Sequence, residues 1–279
     1  MYKCYRCKRQ FRGGERLNSR LIWEQYIEGK QTYAQLATHY GCSIRTIQRK
    51  IDQASVERQT EFPAEVNLLM DTTYFGRSFG VMVFKDSRSG KVLFKRYVKT
   101  ETNALYMQGI QEITRRGIKI SSIICDGRRG LMSLVSEIPV QICQFHQVAI
   151  VRRYLTKRPK MQASKELWEH TLLLKATDKE SFVGGLNEWF SKWQIFLNEQ
   201  RIDDKGKKRY VHKRLRSAYR SLKTNTPWLF TWYDNLDLMI PNTTNSIDGH
   251  FSDLKNKLRN HNGLSTKRKM RFIDEFFKA

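Results

Sequence analysis

Residues Val66–Asp71 read Val-Asn-Leu-Leu-Met-Asp, a short apolar run that ends in a carboxylate. Runs of this length are typical of strands in a sheet that is buried on both faces. A second copy of the pattern, Ile-Ser-Ser-Ile-Ile-Cys-Asp, occupies Ile120–Asp126. Because α/β folds place ligand sites at the ends of such strands, we expect Asp71 and Asp126 to meet at one sheet edge and bind metal.

The segments around these two runs predict the rest of the same sheet. Phe79–Lys85 and Lys91–Val98 follow the first run after short loops, which indicates an antiparallel meander. A helix is predicted over Glu101–Arg116, a short helix over Arg128–Val135 and a fifth strand over Val140–Cys143. With the fourth strand parallel to the first, the sheet order is 3-2-1-4-5, a mixed five-stranded α/β fold with the two acids side by side.

Three short helices are predicted before this sheet. Ser19–Glu28 carries apolar residues at helical spacing, Thr32 caps a second helix and Ser43 caps a third. A small residue, a turn glycine and an apolar residue then fall at the spacing of a helix-turn-helix: Ala37, Gly41 and Ile47. This all-α domain precedes the sheet and is expected to bind DNA.

The third of these helices presents the side chains expected to contact DNA. They are Arg45, Thr46, Gln48, Arg49 and Lys50. The alternative is an ordinary three-helix packing unit, and the basic face of the third helix favours the DNA-binding interpretation.

Charge points to the same partner. The 279 residues include 51 Lys and Arg against 27 Asp and Glu, a net charge of +24 spread along the chain. A basic but inert surface is the alternative to a polyanion partner, for which nucleic acid is the first candidate. No apolar run of transmembrane length and no signal peptide is present, so we expect a soluble, cytoplasmic, nucleoid-associated protein without membrane contact.

Five scattered cysteines argue against a disulfide framework. Cys4 and Cys7 have the spacing of one zinc-ribbon knuckle, but no second Cys-x-x-Cys follows. Three interpretations stay open: a ribbon whose first knuckle is absent, a zinc ion shared by two chains, or two free surface thiols.

The second half of the chain combines a helical region with a third acid. Residues 150–235 are helical in character, and their basic run Lys205–Arg216 suits either a phosphate backbone or a solvated helix face. A later helix carries Asp248 in its first turn, after a capping segment that includes Asn245. Its apolar stripe is predicted to pack on the sheet: Ile247, Phe251, Leu254 and Leu258.

Three acids on separate elements fit metal-dependent phosphodiester chemistry. Two divalent ions roughly 3.5–4 Å apart can activate a nucleophilic oxygen and stabilise the leaving oxygen. Mg²⁺ prefers oxygen ligands, so Asp71, Asp126 and Asp248 are predicted to hold two Mg²⁺ or Mn²⁺ ions. Asp253 is an alternative third acid, but it lies about 140° round the helix from Asp248.

From about Val66 to Gly263 the chain resembles the catalytic region of Mutator-type (MULE-like) bacterial insertion-sequence transposases. The segments that carry the resemblance are Met70–Gly76, Cys125–Leu131, Cys143–His146 and Asn242–Gly249. The resemblance implies an RNase H-like fold with a DDE triad whose first two acids are Asp71 and Asp126. It also implies a helical insertion before the third acid. That acid is usually glutamate in the family and is Asp248 here; all-aspartate triads occur in mariner-type transposases.

Cys143 and His146 match the Cys-x-x-His pair of that family. We expect the pair to support the active site structurally, as does Asn245. His146 as a contact to the scissile phosphate and the pair as half of a zinc site are the alternatives.

These patterns predict a DNA transposase in three parts. Residues 1–14 are a partial zinc ribbon, 15–62 a helix-turn-helix domain, and 63–279 an RNase H-like catalytic domain with its insertion at about 150–235. The protein is expected to act as a homo-oligomer on double-stranded DNA, cutting at terminal inverted repeats and joining the 3′ ends to target DNA. The alternatives are an inactive transposase-derived DNA-binding regulator and a nuclease of the same fold.

Overall fold

The computed structural model describes residues 2–11, 17–56, 58, 60–261 and 263–279. The chain divides into two compact units, Met1–Thr60 with His250–Ala279, and Glu61–Gly249. The sequence prediction instead assigned the last thirty residues to the catalytic domain. The predicted boundary between residues 14 and 15 lies outside the described residues. Within the described ranges, no helix is long and apolar enough to cross a membrane.

The N-terminal part of the first unit contains the three predicted helices. Thr32 forms a capping box with Gln35, Gly41 ends the second helix at φ 59°, and the Ser43 side chain caps the third. These local signals place the helices within two residues of the predicted bounds. The elements are β1 (Tyr2–Lys3), β2 (Gln10–Phe11), α1 (Ser19–Ile27), α2 (Tyr33–Tyr40) and α3 (Ile44–Gln53).

A five-stranded mixed sheet forms the centre of the second unit. Its strands are β3 (Glu65–Phe75), β4 (Phe79–Asp86), β5 (Val92–Val98), β6 (Lys119–Cys125) and β7 (Val140–Ile142). In space they follow the order β5-β4-β3-β6-β7, which is 3-2-1-4-5 when counted along the chain. The first three strands are antiparallel, whereas β6 and β7 run parallel to β3. The predicted mixed five-stranded α/β sheet with the order 3-2-1-4-5 is therefore confirmed.

The first strand is longer than predicted. The sequence ended it at Asp71, but β3 continues to Phe75 because its hairpin partner β4 pairs with it as far as Phe79. The parallel pairing with β6 stops earlier, at Leu69 and Ile124. Asp71 thus lies inside a strand, at the point where the neighbouring strand has ended.

Three helices follow the strands of this sheet. They are α4 (Asn103–Arg115), α5 (Leu131–Leu134) and α6 (Gln144–Leu155). The predicted helix over Arg128–Val135 shrinks to α5 because Gly127 and Gly130 adopt φ values of 82° and 79°. Gly109 allows α4 to approach the sheet closely, since an added Cβ would lie 2.0 Å from the Phe84 ring.

The predicted insertion is helical, with one addition. Its elements are α7 (Gln162–Leu172), α8 (Lys179–Asn198), β8 (Gln200–Ile202), β9 (Lys208–Tyr210), α9 (Lys213–Leu229) and α10 (Thr231–Asp234). The strands β8 and β9 form an exposed antiparallel hairpin. The basic run Lys205–Arg216 therefore begins in this hairpin and reaches a helix only at Lys213.

The chain ends with α11 (Asn245–Arg259) and α12 (Thr266–Phe277). All four residues of the predicted apolar stripe on α11 are buried. Phe251, however, contacts Phe277 edge-on, with the ring centroids 6.3 Å apart. At this position the stripe packs against α12, whereas the sequence predicted packing on the sheet.

The C-terminal segment completes the core of the first unit. The buried ring of Tyr26 stacks on Tyr33 at 4.9 Å and lies 4.0 Å from His261 and 6.1 Å from Phe272, measured between centroids. Arg268 of α12 also donates to both carboxylate oxygens of Asp52, at 3.1 and 2.7 Å. Residues from both ends of the chain therefore share one hydrophobic core.

We expect Phe272→Ala to lower the free energy of unfolding of the first unit by about 3–5 kcal/mol, because it empties a fully buried site. Urea unfolding, followed by tryptophan fluorescence, measures the change. Lys267→Ala, which truncates an exposed residue of the same helix, is the control. An unchanged midpoint for Phe272→Ala would contradict the shared core.

Candidate active site

Asp71 and Asp126 lie beside each other because of the parallel pairing of β3 with β6. Leu69 pairs with Ile124, so continuing that register by two residues sets Asp71 opposite Asp126. The N–H of Thr72 donates to Asp71 Oδ1 at 2.7 Å, and the N–H of Arg128 donates to Asp126 Oδ1 at 3.1 Å. Local backbone donors thus fix one oxygen of each carboxylate.

Asp248 is positioned by the first turn of α11. The hydroxyl of Thr244 donates to Asp248 Oδ2 at 3.0 Å, and the N–H of Asp248 donates to the Thr244 carbonyl at 3.1 Å. The start of the helix is anchored to the sheet, since the buried Lys85 of β4 donates to the carbonyl and the hydroxyl of Ser246, both at 2.9 Å. The side chain of Asn245 is exposed in the same turn. Thr244 therefore supports Asp248, and a supporting part for Asn245 stays a prediction.

Thr244 also joins the third acid to the Cys-x-x-His pair. Its hydroxyl lies 3.3 Å from Cys143 Sγ and 3.3 Å from His146 Nδ1. A protonated His146 can donate to the Thr244 oxygen, which leaves the Thr244 proton for Asp248. The structure thus connects His146 through Thr244 to Asp248.

Hydrogen bonding shifts the pKa values of both Cys143 and His146. The hydrogen bond with Cys143 raises the pKa of His146 against the opposing effect of burial, helped by the charges of Asp248 and Asp71. Burial alone would raise the pKa of Cys143, but hydrogen bonds with His146 and Thr244 outweigh it and lower the pKa. A positively charged imidazole therefore faces the acids.

The acids form a partly buried cluster of like charge. Burial, together with the charges of Asp248 and Asp126, raises the pKa of Asp71 to about 7, against the lowering effects of the Thr72 N–H and the charge of His146. Burial and the charge of Glu101 also raise the pKa of Asp126. Like charges held together out of water favour either a proton or a bound cation.

The donor set fits a hard divalent cation. Among the described residues, no group of three or more His, Cys, Asp or Glu side chains is arranged to hold a metal ion by itself. Mg²⁺ keeps several waters and is commonly held by one or two carboxylates together with substrate phosphates. Asp71, Asp126 and Asp248 are oxygen donors of the type that Mg²⁺ prefers, and their binding of a metal ion stays a prediction. The paired Cys143 and His146 have no third zinc ligand within the part of the chain that the structure describes.

A second group of residues near Asp126 has no counterpart in the sequence prediction. Arg128 forms an ion pair with Glu101 at 3.2 Å, and Tyr106 donates to Glu101 at 3.0 Å. The Tyr106 hydroxyl also lies 3.0 Å from the hydroxyl of Thr72. This network connects the segments beside Asp71 and Asp126. The sequence contains no signal for it, because its contacting partners lie up to 34 positions apart.

The other predicted site residues lie in the first unit. On α3, Arg45 and Arg49 are exposed, whereas Thr46, Gln48 and Lys50 are partly buried. Arg49 donates to Thr46 Oγ1 at 3.4 Å. Their contact with DNA stays a prediction.

The two N-terminal cysteines sit on a short hairpin. Hydrogen bonds from the N–H and side chain of Cys7 lower the pKa of Cys4. Two adjacent sulfurs suit one half of a zinc site. No third Cys, His, Asp or Glu joins them among the described residues, so zinc binding also stays a prediction.

Asp253, the alternative third acid, is engaged elsewhere. It lies 3.6 Å from Lys257 on the same helix. The acids whose charges raise the pKa of Asp71 are Asp248 and Asp126. The assignment of Asp248 as the third acid stays a prediction.

No family model and no curated protein matches the chain. Among solved structures, the HTLV-2 integrase catalytic core domain in complex with magnesium is similar, with 16% identity, a TM-score of 0.24, and coverage of 51% of this chain and 92% of that chain. The Drosophila P element transposase strand transfer complex gives 11% identity, a TM-score of 0.42, and coverage of 96% and 92%. A simian T-cell lymphotropic virus intasome bound to the PP2A regulatory subunit B56 gamma gives 13%, 0.24, and 72% and 68%. At scores this low, these likenesses decide neither the family nor the activity of this chain.

The raised pKa of Asp71 predicts a pH dependence of stability in metal-free buffer. Between the ordinary value of 3.8 and about 7, native Asp71 keeps a proton that the unfolded chain has released. The free energy of unfolding should therefore fall as pH rises through this window. Asp71→Asn removes this contribution, so its thermal midpoint should fall less than that of wild type between pH 4 and 7. Parallel curves for the two proteins would contradict the buried, protonated carboxyl.

Proposed function

We propose that the chain is a DNA transposase of the DDE/D type, which cleaves DNA at the ends of a mobile element and joins the freed 3′ ends to target DNA. The observation that supports this most strongly is the convergence of the three acids, since the charges of Asp248 and Asp126 both raise the pKa of Asp71. Three acids from two strands and a helix provide the oxygen ligands that metal-dependent phosphoryl transfer requires.

Each residue of the site has a distinct part in this proposal. Bound Mg²⁺ or Mn²⁺ supplies Lewis acidity and activates the attacking oxygen. Asp71, Asp126 and Asp248 would hold the ions, and substitution of Asp71 or Asp248 tests this role. Thr244 orients Asp248 through its hydroxyl. The charged His146 offers a donor to a phosphate oxygen near the acids, in keeping with its raised pKa.

The first unit supplies the DNA specificity. The exposed Arg45 and Arg49 on α3 are available for base and phosphate contacts at the terminal inverted repeats. The net charge of +24 favours association with double-stranded DNA. A homo-oligomer is required because two element ends must be brought together. We place the protein in the bacterial cytoplasm, associated with the nucleoid.

A strand-transfer assay tests the proposal against its two rivals. The substrate is a labelled duplex carrying the inverted repeat that flanks the gene, incubated with a plasmid target and Mg²⁺ or Mn²⁺. A transposase produces joined products, a nuclease only cleaved ones, and a DNA-binding regulator neither. Specific binding of the repeat without cleavage in either metal would overturn the enzymatic proposal.

A further inference from the structure

One face of α6 leads away from the acids. His146, Ala149, Ile150 and Arg153 lie at i, i+3, i+4 and i+7, which is a single stripe about 10 Å long. A cavity of about 600 Å³ opens along this stripe, and Asp126 and Arg152 complete its lining. The cavity therefore has an acid of the candidate active site at one end and two exposed arginines at the other.

A second cavity adjoins the far end of α6. It has a volume of about 310 Å³ and is lined in part by Arg158, Lys160 and Arg214. Arg214, in the first turn of α9, donates to the carbonyl of Arg153 at 2.8 Å, which ties the two cavities together. Among the described residues, no carboxylate lines the second cavity, and Asp126 is the one carboxylate in the lining of the first.

We propose that Arg152, Arg153, Arg158, Lys160 and Arg214 form a basic track that binds the phosphate backbone of the DNA strand continuing from the scissile phosphate. None of these cations forms an ion pair within the described part of the chain, so their charges are uncompensated. Because they line two adjoining cavities, they form one row. A DNA strand carries one charge per 3.4 Å of helix axis and can meet such a row repeatedly. A small anion would occupy only one end of it.

This inference rests on the proposed function, because the scissile phosphate is placed at Asp126. It adds the path of the DNA beyond that point. Between the charged ends, the first cavity is lined by Ala149 and Ile150, whose side chains form no hydrogen bonds with bases. The track should therefore bind without sequence preference, while α3 supplies specificity.

The test measures the salt dependence of binding to a fluorescent duplex of arbitrary sequence, with the full-length chain. Arg153→Ala with Arg214→Ala should reduce the slope of log K against log salt by about two, because each lost phosphate contact removes close to one unit. Arg153→Lys with Arg214→Lys should keep most of the slope, which separates loss of charge from loss of structure.

The matched control removes two cations from the other end of β6. Arg115 ends α4 and Lys119 begins β6, and both side chains are 74% exposed. Arg115→Ala with Lys119→Ala should leave the slope within half a unit of wild type. If the two alanine pairs gave equal slopes while the wild-type chain still bound DNA, the basic track would be refuted and the proposed function would stand. Failure of the wild-type chain to bind DNA or to cleave it would overturn the proposed function as well.

Discussion

Asp71→Asn is expected to lower cleavage and strand transfer by about 10³-fold or more, because it removes a metal-holding charge at the centre of the acid cluster. The substitution keeps the size of the side chain and the oxygen that accepts from the Thr72 N–H at 2.7 Å. Folding should therefore persist. Removing a buried carboxyl whose pKa is raised also relieves repulsion, so the variant should be at least as stable as wild type at neutral pH without metal.

Two measurements are needed to interpret this variant. Product formation measures cleavage and strand transfer. Affinity for the inverted repeat measures DNA binding by the first unit, which does not contain Asp71. Asp253→Asn is the control, because Asp253 is an acid of α11 that pairs with Lys257. Full strand transfer by Asp71→Asn, or an equal loss in Asp253→Asn, would refute the assignment of Asp71.

The variant also tests metal binding without turnover. If Asp71 competes for a proton and a cation, Mg²⁺ should raise the thermal midpoint of wild type more at pH 8 than at pH 6. The same titration of Asp71→Asn should show a smaller increase at both values. An identical increase in the two proteins would place the cation elsewhere.

The sequence predicted the parts of the fold that depend on local chemistry. Thr32 and Ser43 cap helices through residues three positions away, so their effect is visible in a short window. The buried strands are equally visible as apolar runs between turn residues. Asp71 and Asp126 are predicted as site residues because each terminates such a run, even though β3 itself continues to Phe75.

The parts that were missed depend on contacts between distant residues. Thr244 lies 101 positions from Cys143, so nothing in either segment predicts their hydrogen bond. Lys85 and Ser246 are 161 positions apart, and the reason for a lysine inside an apolar strand appears only in the structure. The grouping of α12 with the N-terminal helices rests on Tyr26 and Phe272, which are likewise far apart in sequence.

Asp248→Asn decides between the transposase and the inactive regulator. Aspartate is one methylene shorter than the glutamate that is usual at this position in the transposase family that the sequence resembles. Here its carboxylate is oriented by the Thr244 hydroxyl at 3.0 Å, while Lys85 anchors the turn that carries it. A carboxylate whose orientation is fixed in this way can act as a metal ligand. We therefore expect Asp248→Asn to lower the rate of strand transfer by about 10²–10³-fold and to leave DNA binding unchanged.

Thr244→Val separates position from charge at the same acid. It keeps the shape of the buried side chain but removes the hydroxyl that joins His146, Cys143 and Asp248. Loss of an orienting contact to a metal ligand typically costs about 10–100-fold, so the variant should lie between wild type and Asp248→Asn. Raising the Mg²⁺ concentration should recover part of its activity but none of that of Asp248→Asn. If wild type joins DNA ends and neither variant differs from it, Asp248 is not the third acid; if wild type itself joins none, the ordered turn around Asp248 serves binding rather than chemistry.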